Sequence, residues 1–305
     1  MEMIGFRFMD TTLPVREAHT GGHCIMPRKI PNMTATMLFP CRNWKPTLAI
    51  KLSVALLAGC IIVTLFNPSL WLWMIGIMLI NRMILVVAGL IPRSTLLGPN
   101  IIRLPQDAAQ RNEVAITIDD GPDSEVTPRV LDILDRYQAK ATFFCIGKLA
   151  AKHPELCREI IRRGHAIENH SLSHNWYFSL LDPWSIHREV RDAQILLSGI
   201  CGQTPRFFRA TAGLRNPELE PVLAHCGLRL CTWSRRGFDT RVGDADAVFK
   251  NLVHNLKGGD ILLLHDGGVA RTAQGKPVII DVLPRLLDHL ARTNLLPVTL
   301  RSAIP

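Results

Sequence analysis

Two long apolar stretches near the start of the 305-residue chain restrict its possible folds more than any other feature. The first covers residues 48–66, the second covers residues 70–91, and an Asn-Pro-Ser break separates them. Because a helix rises about 1.5 Å per residue, each stretch can cross most or all of a hydrocarbon core about 30 Å thick. A cleaved signal peptide fits poorly, since the first stretch begins deep in the chain and no small-residue cleavage site follows it. The sequence therefore predicts an N-terminal transmembrane helical hairpin within residues 46–92.

The second stretch contains Asn81 and Arg82, so it is a weaker candidate for a span than the first. An arginine at the bilayer centre costs about 2.5 to 3.5 kcal/mol, and the sequence is compatible with one span or two. Basic residues flank the pair of stretches on both sides, and Arg93 and Arg103 follow the second. Because cytoplasmic flanks tend to be basic, two spans place the rest of the chain in the cytoplasm, at the inner membrane. A single span places it outside.

The net charge of +9 raises the question of a nucleic-acid partner. The basic residues are scattered, and no aromatic residues interleave with them as a groove for single strands requires. We therefore expect no nucleic-acid partner, and membrane lipid or an anionic glycan matches the charge better. Residues 1–45 carry several basic residues without apolar periodicity, and we interpret them as a basic, poorly ordered tail. The composition gives no indication of oligomeric state.

After Pro105 the sequence alternates short apolar runs with helical patterns. Strand followed by helix, repeated about seven times, is typical of a parallel sheet, and the number of repeats favours a barrel. We predict an α/β fold, a distorted, incomplete (β/α) barrel of about seven strands over residues 112–302, with residues 93–111 as a linker. An open doubly wound sheet is the alternative. The candidate strands are 114–118, 142–146, 165–168, 206–208, 228–232, 260–264 and 296–300.

Two helices between these strands have recognisable patterns. The first is expected to begin at Thr127 as the N-cap, with Pro128 in its first turn. The second has apolar residues at helical spacing from Leu149 to Ile160, which predicts one continuous helix.

Carboxylates and imidazoles follow two of the predicted strands. Asp119 and Asp120 come directly after the first strand, where adjacent carboxylates are costly unless a cation neutralises them. A capped turn explains the same Asp-Asp-Gly-Pro segment equally well. His170 and His174 follow the third strand and, four residues apart on a helical turn, would present both imidazoles to one divalent ion. Together the two segments predict an Asp-His-His metal site with positions open for water or substrate.

These segments resemble the first two motifs of the polysaccharide deacetylases, the NodB-homology enzymes of carbohydrate esterase family 4. Thr-Ile-Asp-Asp-Gly-Pro (117–122) is similar to the first motif, with isoleucine where phenylalanine is usual, and His-Ser-Leu-Ser-His (170–174) is similar to the second. The resemblance implies a catalytic base at Asp119. It also implies three metal ligands: Asp120, His170 and His174.

The segment Phe-Arg-Ala-Thr-Ala-Gly (208–213) is similar to the third motif of the family. The resemblance implies that Arg209 holds the carboxylate of the base, and that a backbone N–H near Ala212 helps to bind the oxyanion. Thr211 stands where the family usually has proline. The loss of proline affects the expected rigidity of this loop, whereas the positive charge of Arg209 is kept.

The segment Trp-Ser-Arg-Arg-Gly-Phe-Asp-Thr (233–240) is similar to the fourth motif. The resemblance implies a substrate-groove role for Trp233, for which a core aromatic is the alternative, and a role for Asp239 in tuning either the motif-three arginine or the catalytic histidine. Two positions depart from the pattern, since Arg236 stands where aspartate is frequent and Thr240 replaces a second tryptophan.

The segment Leu-Leu-Leu-His-Asp-Gly (262–267) matches the fifth motif, just past a continuous apolar strand. The resemblance implies that His265 is the general acid and that Leu263 contributes to an apolar wall around the acyl methyl group. An ordinary surface turn is the alternative. The five motifs occur in the family's order, and the resemblance covers about residues 112–300.

The resemblance implies a hydrolase that removes an N-acyl group, expected to be N-acetyl, from an amino sugar of an envelope polysaccharide or lipid-linked glycan. The expected cofactor is a divalent metal, with Zn²⁺ favoured over Co²⁺, Mn²⁺ or Ni²⁺. A catalytically inactive, membrane-tethered glycan-binding module is one alternative. A deformylase of a lipid-linked sugar is another, because a cytoplasmic domain beside the bilayer suits a glycolipid substrate.

Overall fold

The computed structural model describes residues 41–305. Most of the predicted basic tail, residues 1–40, therefore lies outside the described residues. At the end of that segment, the backbone N–H of Arg42 donates to the carbonyl of Ala224 at 2.7 Å. The Arg42 guanidinium also pairs with Glu220 at 2.6 Å, so the chain lies against the α/β domain before the first helix begins.

The predicted hairpin is present as two helices, α1 (Leu48–Phe66) and α2 (Trp71–Leu90), joined by a short turn. Both helices are long and apolar enough to cross a membrane, and only about 6% of each apolar window is buried within the structure. Each helix contains one charged residue, Lys51 in α1 and Arg82 in α2. Length and composition thus make both helices candidate membrane spans.

The predicted incomplete barrel is confirmed. Seven parallel strands form a curled half-barrel in the order β5-β4-β3-β2-β1-β7-β6, and β8 pairs with the start of β1. The strands are β1 (Glu113–Gly121), β2 (Thr142–Cys145), β3 (Ala166–Asn169), β4 (Phe207–Phe208), β5 (Arg229–Leu230), β6 (Arg235–Arg236), β7 (Ile261–His265) and β8 (Leu296–Val298). The helices of this domain are α3 (Gln106–Gln110), α4 (Val126–Arg136), α5 (Gly147–Lys152), α6 (Pro154–Arg162), α7 (Pro183–Cys201), α8 (Leu219–His225), α9 (Ala245–Val253), α10 (Ile279–Arg292) and α11 (Leu300–Ala303).

The segment before the first strand contributes to the barrel wall. Ile101 forms a parallel bridge with Cys231, just after β5, and Arg103 forms an antiparallel bridge with Asp260, just before β7. The Arg103 guanidinium also pairs with the buried carboxylate of Asp260 at 2.7 Å. These bridges connect the two sides of the open sheet, so the chain that follows α2 covers the gap in the half-barrel.

Two helix predictions were wrong. Thr127 is not the N-cap of α4, because it lies inside the helix, where its hydroxyl accepts from the N–H of Asp123 at 2.8 Å and donates to Asp266. The pattern from Leu149 to Ile160 forms two helices, α5 and α6, because Pro154 begins a new helix after a non-helical His153. The apolar spacing persists across the break, which is why the sequence suggested one helix.

Several apolar clusters support the sheet. The largest packs helices onto the outer face, and another fills the barrel interior. Phe144, Trp233 and Leu263 belong to the interior cluster, and each is at most 5% exposed. Fully burying such a side chain contributes about 1.5 to 3 kcal/mol. This interior cluster supports the polar residues at the strand ends.

The end of α2 packs on the α/β domain through a glycine. The N–H of Arg215 donates to the carbonyl of Gly89 at 3.0 Å, and a Cβ at Gly89 would lie 2.0 Å from the Arg215 carbonyl oxygen. A side chain cannot fit at that distance. The hairpin and the α/β domain are therefore in direct backbone contact.

Gly89→Ala should separate α2 from the domain and lower stability by about 1 to 3 kcal/mol, since the added methyl overpacks the contact. Gly76→Ala is the matched control, because nothing lies within 4 Å of a Cβ at that position of the same helix. Thermal unfolding of the two variants in detergent would compare them. Equal melting temperatures would contradict the contact.

Candidate active site

The polar residues predicted for catalysis all lie at the carboxyl ends of strands. In a parallel barrel these ends share one mouth, which is where side chains from different strands can meet. Asp119 and His265 are partners in the register of β1 and β7, so the two side chains lie next to each other on the same face of the sheet. The other residues follow their strands: Asp120 on β1, His170 after β3, Arg209 after β4 and Asp239 after β6.

Asp120, His170 and His174 meet at the centre of this mouth. The Asp120 Oδ1 lies 3.1 Å from the His170 Nε2 and 3.0 Å from the His174 Nε2. One ligand atom from each residue lies within 4.8 Å of the other two. Two imidazole nitrogens and one carboxylate oxygen form a donor set that Zn²⁺ accepts, and an open position is typical of catalytic sites. The three residues fit a divalent cation.

The two histidines do not lie on a helical turn, which corrects the sequence-based expectation. Ser171 and His174 adopt left-handed backbone conformations, with φ of 65° and 52°, and this reverses the chain within the motif. The Ser171 Oγ accepts from the His174 N–H at 3.0 Å. The side chain of Asn169 also accepts from the Ser171 N–H at 2.9 Å. The imidazoles converge through this hydrogen-bonded loop rather than through helical periodicity.

The His170 ring is oriented by a second contact. Its Nδ1 donates to the carbonyl of Arg209 at 2.7 Å, so Nε2 is the nitrogen directed at the ligand cluster. Burial lowers the pKa of His170, but the carboxylates of Asp119 and Asp120 outweigh burial and raise it. Burial raises the pKa of Asp120, but the hydrogen bond with His170 and the surrounding imidazoles lower it to about 2. A cation at Nε2 would replace a proton, which couples metal binding to proton release.

His174→Ala should reduce bound metal from about one equivalent to near zero, because one of three protein ligands is lost. The metal content of dialysed protein, measured by plasma mass spectrometry, would test this. His254→Ala, on an exposed histidine at the end of α9, is the control and should keep its metal. A full equivalent of tightly bound metal in His174→Ala would remove His174 from the ligand set.

Asp119 is held by a buried arginine. The Arg209 Nη1 donates to the Asp119 Oδ1 at 2.7 Å, and Arg209 is fully buried while Asp119 is 3% exposed. The Arg209 guanidinium also donates to the hydroxyl of Thr117 at 2.7 Å and to the carbonyl of Thr232 at 2.8 Å. It lies 4.0 Å from the ring centre of Phe144. A buried ion pair needs such additional partners to offset its desolvation.

Thr117 was missed as a site residue by sequence reasoning. Its hydroxyl donates to the carbonyl of Leu262 at 2.6 Å and accepts from Arg209, so it fixes the arginine that holds the base. The available signal was its position inside the first motif, two residues before Asp119.

His265 is paired with Asp239. The Asp239 Oδ1 accepts from the His265 Nδ1 at 2.8 Å, and the Oδ2 accepts from the His265 backbone N–H at 2.7 Å. Of the two partners expected for Asp239, its hydrogen bonds go to the histidine. Burial lowers the pKa of His265, but the hydrogen bond and charge of Asp239 raise it to about 9. His265 is therefore protonated at neutral pH, with Nε2 as the ring nitrogen left for a substrate.

The third-motif turn packs against Trp233. Ala212 has a left-handed backbone, with φ of 54°, and the turn is closed by N–H groups of residues 213 and 214. A Cβ at Gly213 would lie 2.7 Å from the Trp233 ring, so the glycine permits this close approach. Trp233 is 5% exposed and Leu263 is 1% exposed. Their packing is that of core residues, and their contacts with substrate, like that of Ala212, stay predictions.

Asp266 is a second residue that sequence reasoning left without a role. It is 1% exposed, it accepts a hydrogen bond from the Thr127 hydroxyl, and a Cβ at Gly121 would lie 2.4 Å from its Oδ1. Burial, together with the charges of Asp120 and Asp123, raises its pKa to about 7. Asp266 thus joins the start of α4 to the end of β1.

Comparison with known proteins matches this chain to one group. Residues 106–231 match the family described as polysaccharide deacetylase. A peptidoglycan-N-acetylglucosamine deacetylase of Bacillus cereus is 34% identical over 175 residues, covering 57% of this chain and 81% of the relative. A chitooligosaccharide deacetylase of Bradyrhizobium is 35% identical over 162 residues, covering 53% of this chain and 74% of the relative.

Solved structures give the same result. The crystal structure of a peptidoglycan N-acetylglucosamine deacetylase superposes with a TM-score of 0.61 at 27% identity, covering 67% of this chain and 92% of the other. A family 4 carbohydrate esterase from Streptomyces lividans, solved with acetate, gives a TM-score of 0.56 at 28% identity, covering 63% of this chain and 95% of the other.

Proposed function

Since the chain belongs to the polysaccharide deacetylase family and is a hydrolase of that family, we propose that it removes N-acetyl groups from an amino-sugar glycan of the cell envelope. The observation that carries the proposal is the arrangement at the barrel mouth. The carboxylate of Asp119, held by Arg209, lies next to His265 on the adjacent strands β1 and β7, beside a three-residue cluster that fits a cation. An amide hydrolase needs a base, an acid and an electrophile in this relation.

Asp119 is the proposed general base. Arg209 lies 2.7 Å from it and orients the carboxylate, which must accept a proton from the attacking water. A divalent cation held by Asp120, His170 and His174 would supply Lewis acidity and lower the pKa of water, and we propose Zn²⁺. Arg209 is a positioning residue in this scheme, because it donates its hydrogen bonds to the base and to Thr117 and Thr232 in the barrel wall.

His265 is the proposed general acid. Its Nδ1 is engaged by Asp239, so a proton on Nε2 is available to the nitrogen of the departing amine. The backbone N–H near Ala212 is the proposed donor to the carbonyl oxygen as negative charge develops on it. Trp233 and Leu263 are proposed to bound the space taken by the sugar and the acetyl methyl.

Acetate release tests the proposal directly. Purified full-length protein should release acetate from penta-N-acetylchitopentaose or from peptidoglycan, lose this activity after chelation, and regain it on addition of Zn²⁺, Co²⁺, Mn²⁺ or Ni²⁺ in turn. Comparison of the four ions would identify the preferred metal. Binding of the glycan without any acetate release in all four would instead support an inactive binding module.

We further propose that α1 and α2 anchor the enzyme in the membrane. Only about 6% of the apolar window of each helix is buried, and Gly89 of α2 contacts the α/β domain directly. The basic flanks favour a cytoplasmic catalytic domain, which would then act on a lipid-linked glycan at the inner membrane. A compartment-sensitive reporter fused after Pro305 would decide the side, because alkaline phosphatase is active only outside and a fluorescent protein is bright inside.

A further inference from the structure

Arg236 lies beside the catalytic residues at the barrel mouth. It is the partner of Leu263 in the parallel register of β6 and β7, so both side chains point to the barrel interior. Its guanidinium carbon lies 5.4 Å from the ring centre of Trp233 and 5.0 Å from that of Phe238. Stacking on aromatic rings fixes the plane of the guanidinium without using its N–H donors.

No acidic partner holds this guanidinium. Among residues 41–305, no carboxylate lies within 4.0 Å of it, and its Nε is buried without a hydrogen-bond acceptor. The neighbouring Arg235 differs, since its Nε donates to Asp260 at 3.3 Å. Leaving a buried donor unsatisfied destabilises the fold. Residues 41–305 therefore supply no acceptor for the Nε–H of Arg236.

The nearby carboxylates are already engaged. Both oxygens of Asp239 bond His265, at 2.7 and 2.8 Å, and Asp119 bonds Arg209 at 2.7 Å. Burial lowers the pKa of Arg236, and the charges of Asp239 and the Asp119–Asp120 pair oppose that effect. Arginine stays protonated in any case, so the barrel mouth carries a positive charge that forms no ion pair with the described residues.

We propose that Arg236 binds an anionic group, a carboxylate or a phosphate, on the glycan next to the sugar that is deacetylated. The planar guanidinium matches either anion with two parallel hydrogen bonds. The inference rests on the proposed function for its location and deepens it, because it specifies an acidic amino-sugar glycan as the substrate class. The fourth motif frequently has aspartate at this position, so the chain reverses the charge that such a substrate meets.

Matched substrates test the proposal. The disaccharide of N-acetylglucosamine and N-acetylmuramic acid carries a carboxylate, and its methyl ester is the same molecule without the charge. Di-N-acetylchitobiose 1-phosphate and di-N-acetylchitobiose form the corresponding phosphate pair. A hydrogen bond to a charged group is worth about 1.5 to 3 kcal/mol, so the wild type should prefer at least one anionic member by about tenfold or more in kcat/KM. The pair that shows the preference identifies the anion.

Three variants isolate the contribution of Arg236. Arg236→Gln should bring the charged-to-neutral ratio of kcat/KM close to one, whereas Arg236→Lys should keep part of the preference because it keeps the charge. Arg158→Gln removes an exposed arginine on α6 and should leave the ratio unchanged. An unchanged ratio in Arg236→Gln, or an equal loss on both members of a pair, would overturn the proposal. So would a wild-type ratio near one for both pairs.

Binding without turnover separates this proposal from the proposed function. Calorimetric titration of the Asp119→Asn variant with the same four compounds should show at least tenfold tighter binding of the preferred anion, and the double variant with Arg236→Gln should not. Absence of acetate release by the wild type, with this binding preference intact, would contradict the deacetylase function alone. Normal acetate release with equal binding of charged and neutral compounds would overturn the anion site alone.

Discussion

Asp119→Asn should lower kcat about 10³-fold while the protein keeps its metal. The substitution preserves shape and still offers an oxygen to Arg209, but it removes the group that accepts the proton of the attacking water, a contribution of about 10² to 10⁴ in rate. The ligand atoms of Asp120, His170 and His174 are untouched by the substitution, and the Asp119 Oδ2 lies 3.9 Å from the His170 Nε2. Acetate release and metal content, measured on the same sample, would test both halves of the prediction.

A buried arginine makes the folding control essential for this variant. Removing one member of a buried ion pair is costly, and Arg209 is fully enclosed. Circular dichroism must therefore show a folded variant before the rate is interpreted. Asp107→Asn, an exposed residue of α3, is the matched control and should be fully active. Ordinary turnover in a folded, metal-loaded Asp119→Asn would remove Asp119 from the role of base.

The strand ends were predictable because they depend on a repeated pattern. Apolar runs located β1, β2, β3 and β7 to within a residue or two at most ends, and parallel strands bring their carboxyl ends together whatever the intervening sequence. β6 was missed because its two residues, Arg235 and Arg236, are charged and form no apolar run. The bridge of Ile101 to Cys231 was missed for the same reason, since a single pairing depends on the finished barrel.

The residue types of the site were visible in the sequence, whereas their contacts were not. Spacing suggested a helical turn for His170 and His174, but left-handed conformations at two positions produce the same convergence by another route. The sequence left Asp239 between two partners, and the folded structure brings its carboxylate to His265. Such pairings depend on tertiary packing, which local sequence patterns do not predict.

Asp239→Asn should lower kcat by about 10² or more and move the alkaline limb of the pH profile to lower pH. The catalytic acid must be protonated, so activity falls as pH rises through the pKa of His265. The Asp239 hydrogen bond and charge outweigh burial and raise that pKa from 6.5 to about 9, which keeps the acid protonated across neutral pH. Without the carboxylate, burial lowers the pKa and the limb moves below pH 9 toward the ordinary value.

The raised pKa of His265 also makes the stability of the folded protein depend on pH. A histidine with a raised pKa in the folded state stabilises the protein fully below its unfolded pKa of 6.5, and this contribution is lost as pH rises through about 9. The wild type should therefore lose more stability than Asp239→Asn between pH 6.5 and pH 9 in thermal unfolding experiments.

A double-mutant cycle distinguishes positioning from general damage. If Asp239 acts through His265, then Asp239→Asn should add little to the loss already caused by His265→Gln, because residues that act as a unit are strongly non-additive. The carboxylate oxygens of Asp239 accept hydrogen bonds from the ring and from the backbone N–H of His265. These two contacts are the structural basis of the expected coupling. Fully additive losses, with an alkaline limb that stays near pH 9 in Asp239→Asn, would place the function of Asp239 elsewhere.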